Sequence, residues 1–256
     1  GEKPYMSQLL NSSIDVDQLD YLVRDAYYTG VSYGMIDIER FQQTLIIKDN
    51  KLAVNKKGVG VVENILMART LMYSSVYFHK TVRIAELMLS KAIEMIDDTK
   101  PFEFFKMTDA ELINELNKMG SFQHEIATRL KFRNLFKQAF SLSDSKLDKG
   151  YLDIINRLEK TEFRRKKEQD IEDILNIPSG HVIIDIPRKE LYQAEPRIEK
   201  TDITIIDEED QKKIDFYTPV AKAIRSRAIP DWMVMIVTDE KYRDIISKKA
   251  EKILFN

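Results

Sequence analysis

The stretch Ile14-Asp15-Val16-Asp17-Gln18-Leu19-Asp20-Tyr21-Leu22-Val23-Arg24-Asp25-Ala26-Tyr27-Tyr28-Thr29-Gly30 gathers carboxylates, an arginine and three tyrosines within one run of helical periodicity. At about 100° per residue, Asp17, Tyr21, Arg24 and Asp25 fall in one stripe, while Leu19, Leu22, Val23 and Ala26 form the opposite, apolar face. The helix is thus expected to have a packing side and a chemical side. Asp20 and Arg24 are spaced as an i,i+4 ion pair, which alone makes no more than a solvated face. Phenols and a guanidinium beside carboxylates suit a different task, holding a sugar and a phosphate.

Outward from this helix, Thr29-Gly30 and Tyr33-Gly34 punctuate the chain, and Asp37 is placed to cap a helix to Ile46 with Arg40 in its first turn. The segment "LIIKDNKLAVNKKG" alternates about Asp49-Asn50 and predicts a small hairpin. From Gly60 to Asp97 the pattern predicts one long helix, in which Arg69, Tyr73, Tyr77 and Lys80 share a stripe. This second chemical face would offer cations to phosphate and phenols to a sugar. Further helices are expected over Thr108–Lys118, where Thr108 and Glu111 spell a capping box, and over Ser121–Ala139.

Ser141–Lys149 is polar and turn-rich, and the pattern changes class beyond it. Helices at Tyr151–Leu158 and Thr161–Leu175 lead to Pro178-Ser179-Gly180 and to strand-like "HVIIDIP" and "DITIID" runs. A helix near Pro219–Ser226, a buried strand in "WMVMIVT" and a closing helix capped by Asp239 and running to Leu254 complete the chain. The expected fold is mainly α: a helical domain over residues 1–143, then a smaller α+β domain over 144–256.

Composition limits the function classes. The 256 residues suffice for one large or two modest domains with sizeable cores. No run of about 18 apolar residues occurs, so the expectation is a soluble cytoplasmic protein without a membrane partner. The absence of cysteine excludes disulfides and thiolate metal sites, leaving His, Asp and Glu as ligands. A net charge of −2 argues against a nucleic-acid partner and for a small molecule. Charged residues at 32%, above the usual quarter, together with the lack of cysteine fit a heat-adapted source. His79, His124 and His181 are scattered, and no HExxH, GxxxxGK[ST] or GxGxxG motif appears. Arg164-Arg165-Lys166-Lys167 lies among glutamates as a solvated face.

"SSIDVDQLDYLVRDAYYTGVSYG" resembles the segment after the His/Asp dyad in HD-domain phosphohydrolases, particularly the deoxynucleoside triphosphate triphosphohydrolase branch. "ARTLMYSSVYFHK", "FRNLFK" and "HVIIDIP" follow in the order of that branch, so the resemblance spans nearly the whole chain. It implies a C-terminal part of an HD-type helical domain and a divalent metal (Mg, Mn, Fe, Zn or Ni), with Asp17 the last ligand of an H…HD…D set. It further implies that Tyr21 and Asp25 contact the sugar, Asp25 accepting from the 3′-hydroxyl. Arg69 meets the phosphates as the catalytic cation beside Asp17, and Tyr77 lies where a 2′-hydroxyl would clash. Gln18 occupies the place of a phosphate-contacting lysine of the animal enzymes, and Lys80 adds a further substrate cation. His79, Lys80, Arg133 and Lys137 have counterparts in the nucleotide-activation site of those enzymes, where Asn55 and Ile46 replace arginines.

No histidine precedes Asp17. The expectation is therefore a portion of a homo-oligomeric, metal-dependent phosphohydrolase that is inactive alone. As a whole, that enzyme would cleave deoxynucleoside triphosphates to nucleoside and tripolyphosphate. Two other readings stay open: hydrolysis of another phosphate ester or pyrophosphate, and a non-catalytic nucleotide-binding or assembly module.

Overall fold

The computed structural model describes residues 3–96, 103–143, 149–187, 203–225 and 232–255. In chain order, helices α1 (Pro4–Leu10), α2 (Val16–Thr29) and α3 (Ile38–Thr44) lead to strands β1 (Leu45–Lys48) and β2 (Lys51–Asn55). Helices α4 (Val59–Met72), α5 (Lys80–Glu94), α6 (Asp109–Lys118) and α7 (Ser121–Lys131) precede β3 (Lys137–Leu142). Helices α8 (Leu152–Leu158) and α9 (Thr161–Leu175) precede β4 (Val182–Asp185), β5 (Thr204–Asp207) and β6 (Asp210–Lys213). The chain closes with α10 (Ile214–Tyr217), α11 (Val220–Arg225), β7 (Val234–Thr238) and α12 (Arg243–Phe255). The fold is mainly α with two small sheets, as expected.

The chain forms two compact units, one of residues 1–79 and 188–230, the other of 80–187 and 231–256. The boundary expected at 143 falls inside the second unit, directly after β3, and residues 144–148 of the Ser141–Lys149 stretch lie outside the described residues. The reason lies in strand pairing. Within the first unit β5 pairs in parallel with β2 through Val54↔Ile205 and Asn55↔Ile206, giving the sheet order β1-β2-β5-β6. The "DITIID" segment thus completes a sheet begun by the early hairpin. In the second unit β3-β7-β4 form an antiparallel sheet whose central strand, β7, is buried along its whole length.

In the first unit, Asp15 caps α2 by accepting from Gln18 N at 2.9 Å, and Gly30 ends it at φ 71° with its N–H on Ala26 and Tyr27 carbonyls. Leu19, Leu22, Ala26 and Gln18 are its buried residues; Val23, expected inside, is exposed. The hairpin forms as predicted, with Asp49 and Asn50 both at positive φ, which suits a tight two-residue turn. Leu19 packs with Phe41, Val54, Ile65 and Ile205 in one cluster, and Leu22 and Ala26 meet Met72 in another.

Two expected helices end early. The run from Gly60 to Asp97 divides into α4, a π-helical turn over Tyr73–Tyr77 and, after Phe78 and His79, α5. Phe78 N donates to Tyr73 O at 2.7 Å, and Ser74 Oγ turns back to Leu71 O, a pairing that bends helices. Likewise α7 stops at Lys131 rather than Ala139. Arg133 takes φ 55°, and Lys137–Leu142 goes to β7 as strand, since the pairing with that distant strand overrides local periodicity.

In the second unit α9 packs on β4. Lys91 Nζ donates to Glu168 at 2.6 Å, Ile184 N donates to the same carboxylate at 2.8 Å, and Val182 N donates to Glu172 at 3.0 Å. Burial pushes the Glu172 carboxyl up to about 7 from an ordinary 4.5. Because the folded value is raised, this contribution to stability is complete below the unfolded carboxyl range and is lost as pH rises through 7. Glu172→Gln is expected to flatten the stability profile between pH 4.5 and 7 and to raise the melting temperature above pH 7. Thermal unfolding across that range checks it.

Candidate functional site

Within the first unit, α2 and the end of α4 present their chemical stripes to each other. Tyr77 OH donates to Asp25 Oδ2 at 2.7 Å, and the Tyr21 and Tyr73 hydroxyls lie 3.4 Å apart. Tyr21 and Tyr77 rings meet edge to face at 5.9 Å, as do Tyr73 and Tyr77 at 5.0 Å. Burial, reinforced by the Asp25 carboxylate, raises the Tyr77 phenol well above its ordinary value, so it remains a donor at any physiological pH. Tyr73 and Tyr77 open and close the π turn, four residues apart, and both face α2.

Arg69 lies at the floor of this arrangement, with 1% of its surface exposed. Its Nη1 donates to Gln18 Oε1 at 2.6 Å and, more weakly, to Ser13 O at 3.4 Å, while its guanidinium carbon stands 5.5 Å from the Tyr73 ring centre. Six expected residues, Gln18, Tyr21, Asp25, Arg69, Tyr73 and Tyr77, therefore share one neighbourhood. Two stand differently. Asp17, on the same helix, is exposed. Lys80 does not extend the Arg69–Tyr73–Tyr77 stripe, because the helix breaks at Phe78; it opens α5 in the other unit. Arg24 is also exposed and pairs with Asp20 at 3.0 Å, the solvated arrangement its spacing allowed.

The chemistry available is a buried cation bracketed by phenols, with a carboxylate that accepts hydroxyl hydrogen bonds. Such a set has the donors and the acceptor that a polyhydroxylated, phosphorylated molecule would engage. Asp17 offers a single exposed carboxylate, and among the described residues it belongs to no group of three His, Asp or Glu ligand atoms.

The second unit carries two further clusters. A cleft of about 580 Å³ is lined by four cations, Lys80, Arg133, Lys137 and Arg243, with Gln138 and apolar neighbours but no carboxylate. Arg243 comes from the last helix, and no local signal in the sequence marked it. Elsewhere in this unit Glu125, His181 and Asp239 bring ligand atoms within 4.8 Å of one another. Arg129 pairs with Asp239 and with Glu125, the latter at 2.8 Å, so a guanidinium already supplies the positive charge a metal would bring. His181 is enclosed by Phe122, Phe136 and Tyr242 rings, the setting of a structural histidine.

The chain matches one described family. The family model for the HD associated region covers residues 36–255, and the chain belongs to that family. Helix α2 lies before the matched region. The chain is 28% identical to an uncharacterized protein, MJ1154, of Methanocaldococcus jannaschii, over 99% of this chain and 56% of the relative. It is 28% identical over 137 residues, 49% of this chain and 26% of the relative, to the deoxynucleoside triphosphate triphosphohydrolase SAMHD1 homolog of Dictyostelium discoideum. A crystal structure of a hypothetical protein from Aquifex aeolicus superposes with a TM-score of 0.68 at 27% identity, covering 96% of this chain and 60% of that one. The chain thus spans little more than half of the first of these relatives. No helix among the described residues is long and apolar enough to cross a membrane.

Proposed function

We propose that the chain is the substrate-binding portion of a metal-dependent HD-superfamily phosphohydrolase acting on deoxynucleoside triphosphates. Water would cleave the ester to nucleoside and tripolyphosphate. The observation that carries the reading is the Tyr77–Asp25 hydrogen bond in the neighbourhood of buried Arg69; in this reading the carboxylate faces the sugar and the cation the phosphates. Likeness to a protein named as a triphosphohydrolase supports the substrate class. In this reading Tyr21 and Asp25 hold the deoxyribose, Tyr77 closes the 2′ side, and Arg69 stabilises charge developing on the phosphates. Asp17 would contribute one ligand to a divalent metal that polarises the phosphoryl oxygen, and among the described residues it has no companion ligands.

The test is product analysis. The intact protein with dGTP and Mn²⁺ is expected to release deoxyguanosine and tripolyphosphate, whereas residues 1–256 alone release neither. Release of phosphate or pyrophosphate from other esters, with dGTP untouched, would favour the second reading. That reading gains from Gln18, which adds no second cation beside Arg69. Binding without turnover by the intact protein would leave the non-catalytic module.

The cationic cleft extends the proposal to control by nucleotide, and a homo-oligomer is part of the same reading. GTP is expected to raise the melting temperature of the intact protein or to shift its assembly state in gel filtration, and Arg133→Glu to abolish the response. No shift in either would remove the cleft from the functional account.

A further inference from the structure

The cleft of about 580 Å³ in the second unit draws its four cations from four separate elements. Lys80 opens α5, Arg133 follows α7, Lys137 opens β3 and Arg243 opens α12. Among the described residues none of the four pairs with a carboxylate, and no Asp or Glu lines the cleft. The chain carries 42 acidic and 40 basic residues, so such a grouping is not its composition showing through. The fold enforces it. Arg133 is held at φ 55°, a left-handed conformation unfavourable for arginine, Arg243 Nε donates to Gln138 O at 3.1 Å, and Lys137 is fixed opposite Thr238. Like charges held together repel, and an anion between them relieves the repulsion.

The lining offers little for a base or a sugar. Sugar hydroxyls and the amino edge of guanine are well held by carboxylates, and base faces by exposed aromatic rings. Neither is present: Phe136 is 1% exposed within one core cluster, and Phe140 packs against another. Gln138 Nε2 donates to Ser141 Oγ at 2.6 Å, so that carboxamide is turned along its own strand. We propose that the cleft binds a phosphate chain by its charge alone, so that inorganic tripolyphosphate fills it as a nucleoside triphosphate does, whatever the base or sugar. Arg133 and Arg243 supply planar forks for paired phosphate oxygens, and Lys80 and Lys137 supply point charges. This rests on the reading of the cleft as a nucleotide-responsive control site, and it narrows what that site recognises. It also makes the inorganic product of the proposed reaction a competitor of nucleotide at the cleft.

Calorimetric titration of the intact protein, without divalent metal, compares tripolyphosphate, GTP, dTTP and guanosine. Binding at the cleft is the component removed by Arg243→Glu and by Lys137→Glu. Both side chains are exposed, so both variants are expected to melt within a few degrees of the parent. The cleft component is expected to be equal for tripolyphosphate, GTP and dTTP within about threefold, and absent for guanosine. Either charge reversal is expected to weaken it about tenfold or more for all three triphosphates, and tripolyphosphate is expected to displace GTP from it. A preference beyond threefold for GTP or dTTP over tripolyphosphate overturns the inference, because base or sugar is then recognised, and leaves the control reading standing. Binding of every ligand unchanged by both reversals removes the cleft as an anion site, and the control reading falls with it.

Discussion

Arg69→Met is expected to weaken nucleotide or tripolyphosphate binding by about a hundredfold, roughly 3 kcal/mol, while leaving the fold intact. The methionine fills similar length in a site that is 1% exposed, next to Met72 and the Tyr73 ring, so little cavity is created. Two stability effects oppose each other. Gln18 loses its partner at 2.6 Å, at a cost of about 1–3 kcal/mol for a buried acceptor. Against that, the protein no longer bears the desolvation cost of a buried guanidinium. The melting temperature should therefore move by a few degrees while binding collapses. Calorimetric titration with unfolding of the same samples checks the pair; a variant that melts earlier yet binds normally would make Arg69 a packing residue.

The largest stability effect is expected at Gly34. A Cβ there would stand 2.3 Å from Leu22 O and 2.5 Å from Ala26 Cβ, against the backbone of α2 rather than a flexible side-chain tip. Gly34→Ala must push the Ser32–Gly34 turn off the helix, which we expect to cost about 3 kcal/mol or more. Because Leu22 and Ala26 are the packing side of the same helix that carries Tyr21 and Asp25, the displacement should also weaken nucleotide binding. Gly30 is the control. It has φ 71° but open space around it, so Gly30→Ala should cost only about 1–2 kcal/mol, the strain of the left-handed conformation. Denaturant unfolding of the two variants measures the contrast, and equal losses would show that the close approach at Gly34 carries no special weight.

The readable and unreadable parts of this chain divide by the range of the interactions that decide them. Helix α2 was legible because its cap, its period and its terminating glycine act within a few residues. The Thr108–Glu111 capping box and the Asp49-Asn50 hairpin were legible for the same reason. Strand β3 was not, since "KQAFSL" joins β7 nearly a hundred residues later, with Lys137 opposite Thr238. The division at residue 143 failed to anticipate the compact units because β2 recruits β5 as a parallel neighbour.

The site shows the same division. Residue types and spacing by themselves determined that Tyr21 and Asp25 share one face of a helix and that Arg69, Tyr73 and Tyr77 share another. Only the tertiary structure decided that the two faces meet, that a π turn ends the second stripe before Lys80, and that Arg243 joins Lys80, Arg133 and Lys137 around one cleft. It also placed the Gln18 carboxamide against the Arg69 guanidinium. A helix period fixes the direction of a side chain relative to its neighbours in sequence. Whether a carboxamide meets a phosphate or a guanidinium depends on which element, 51 residues away, packs against it.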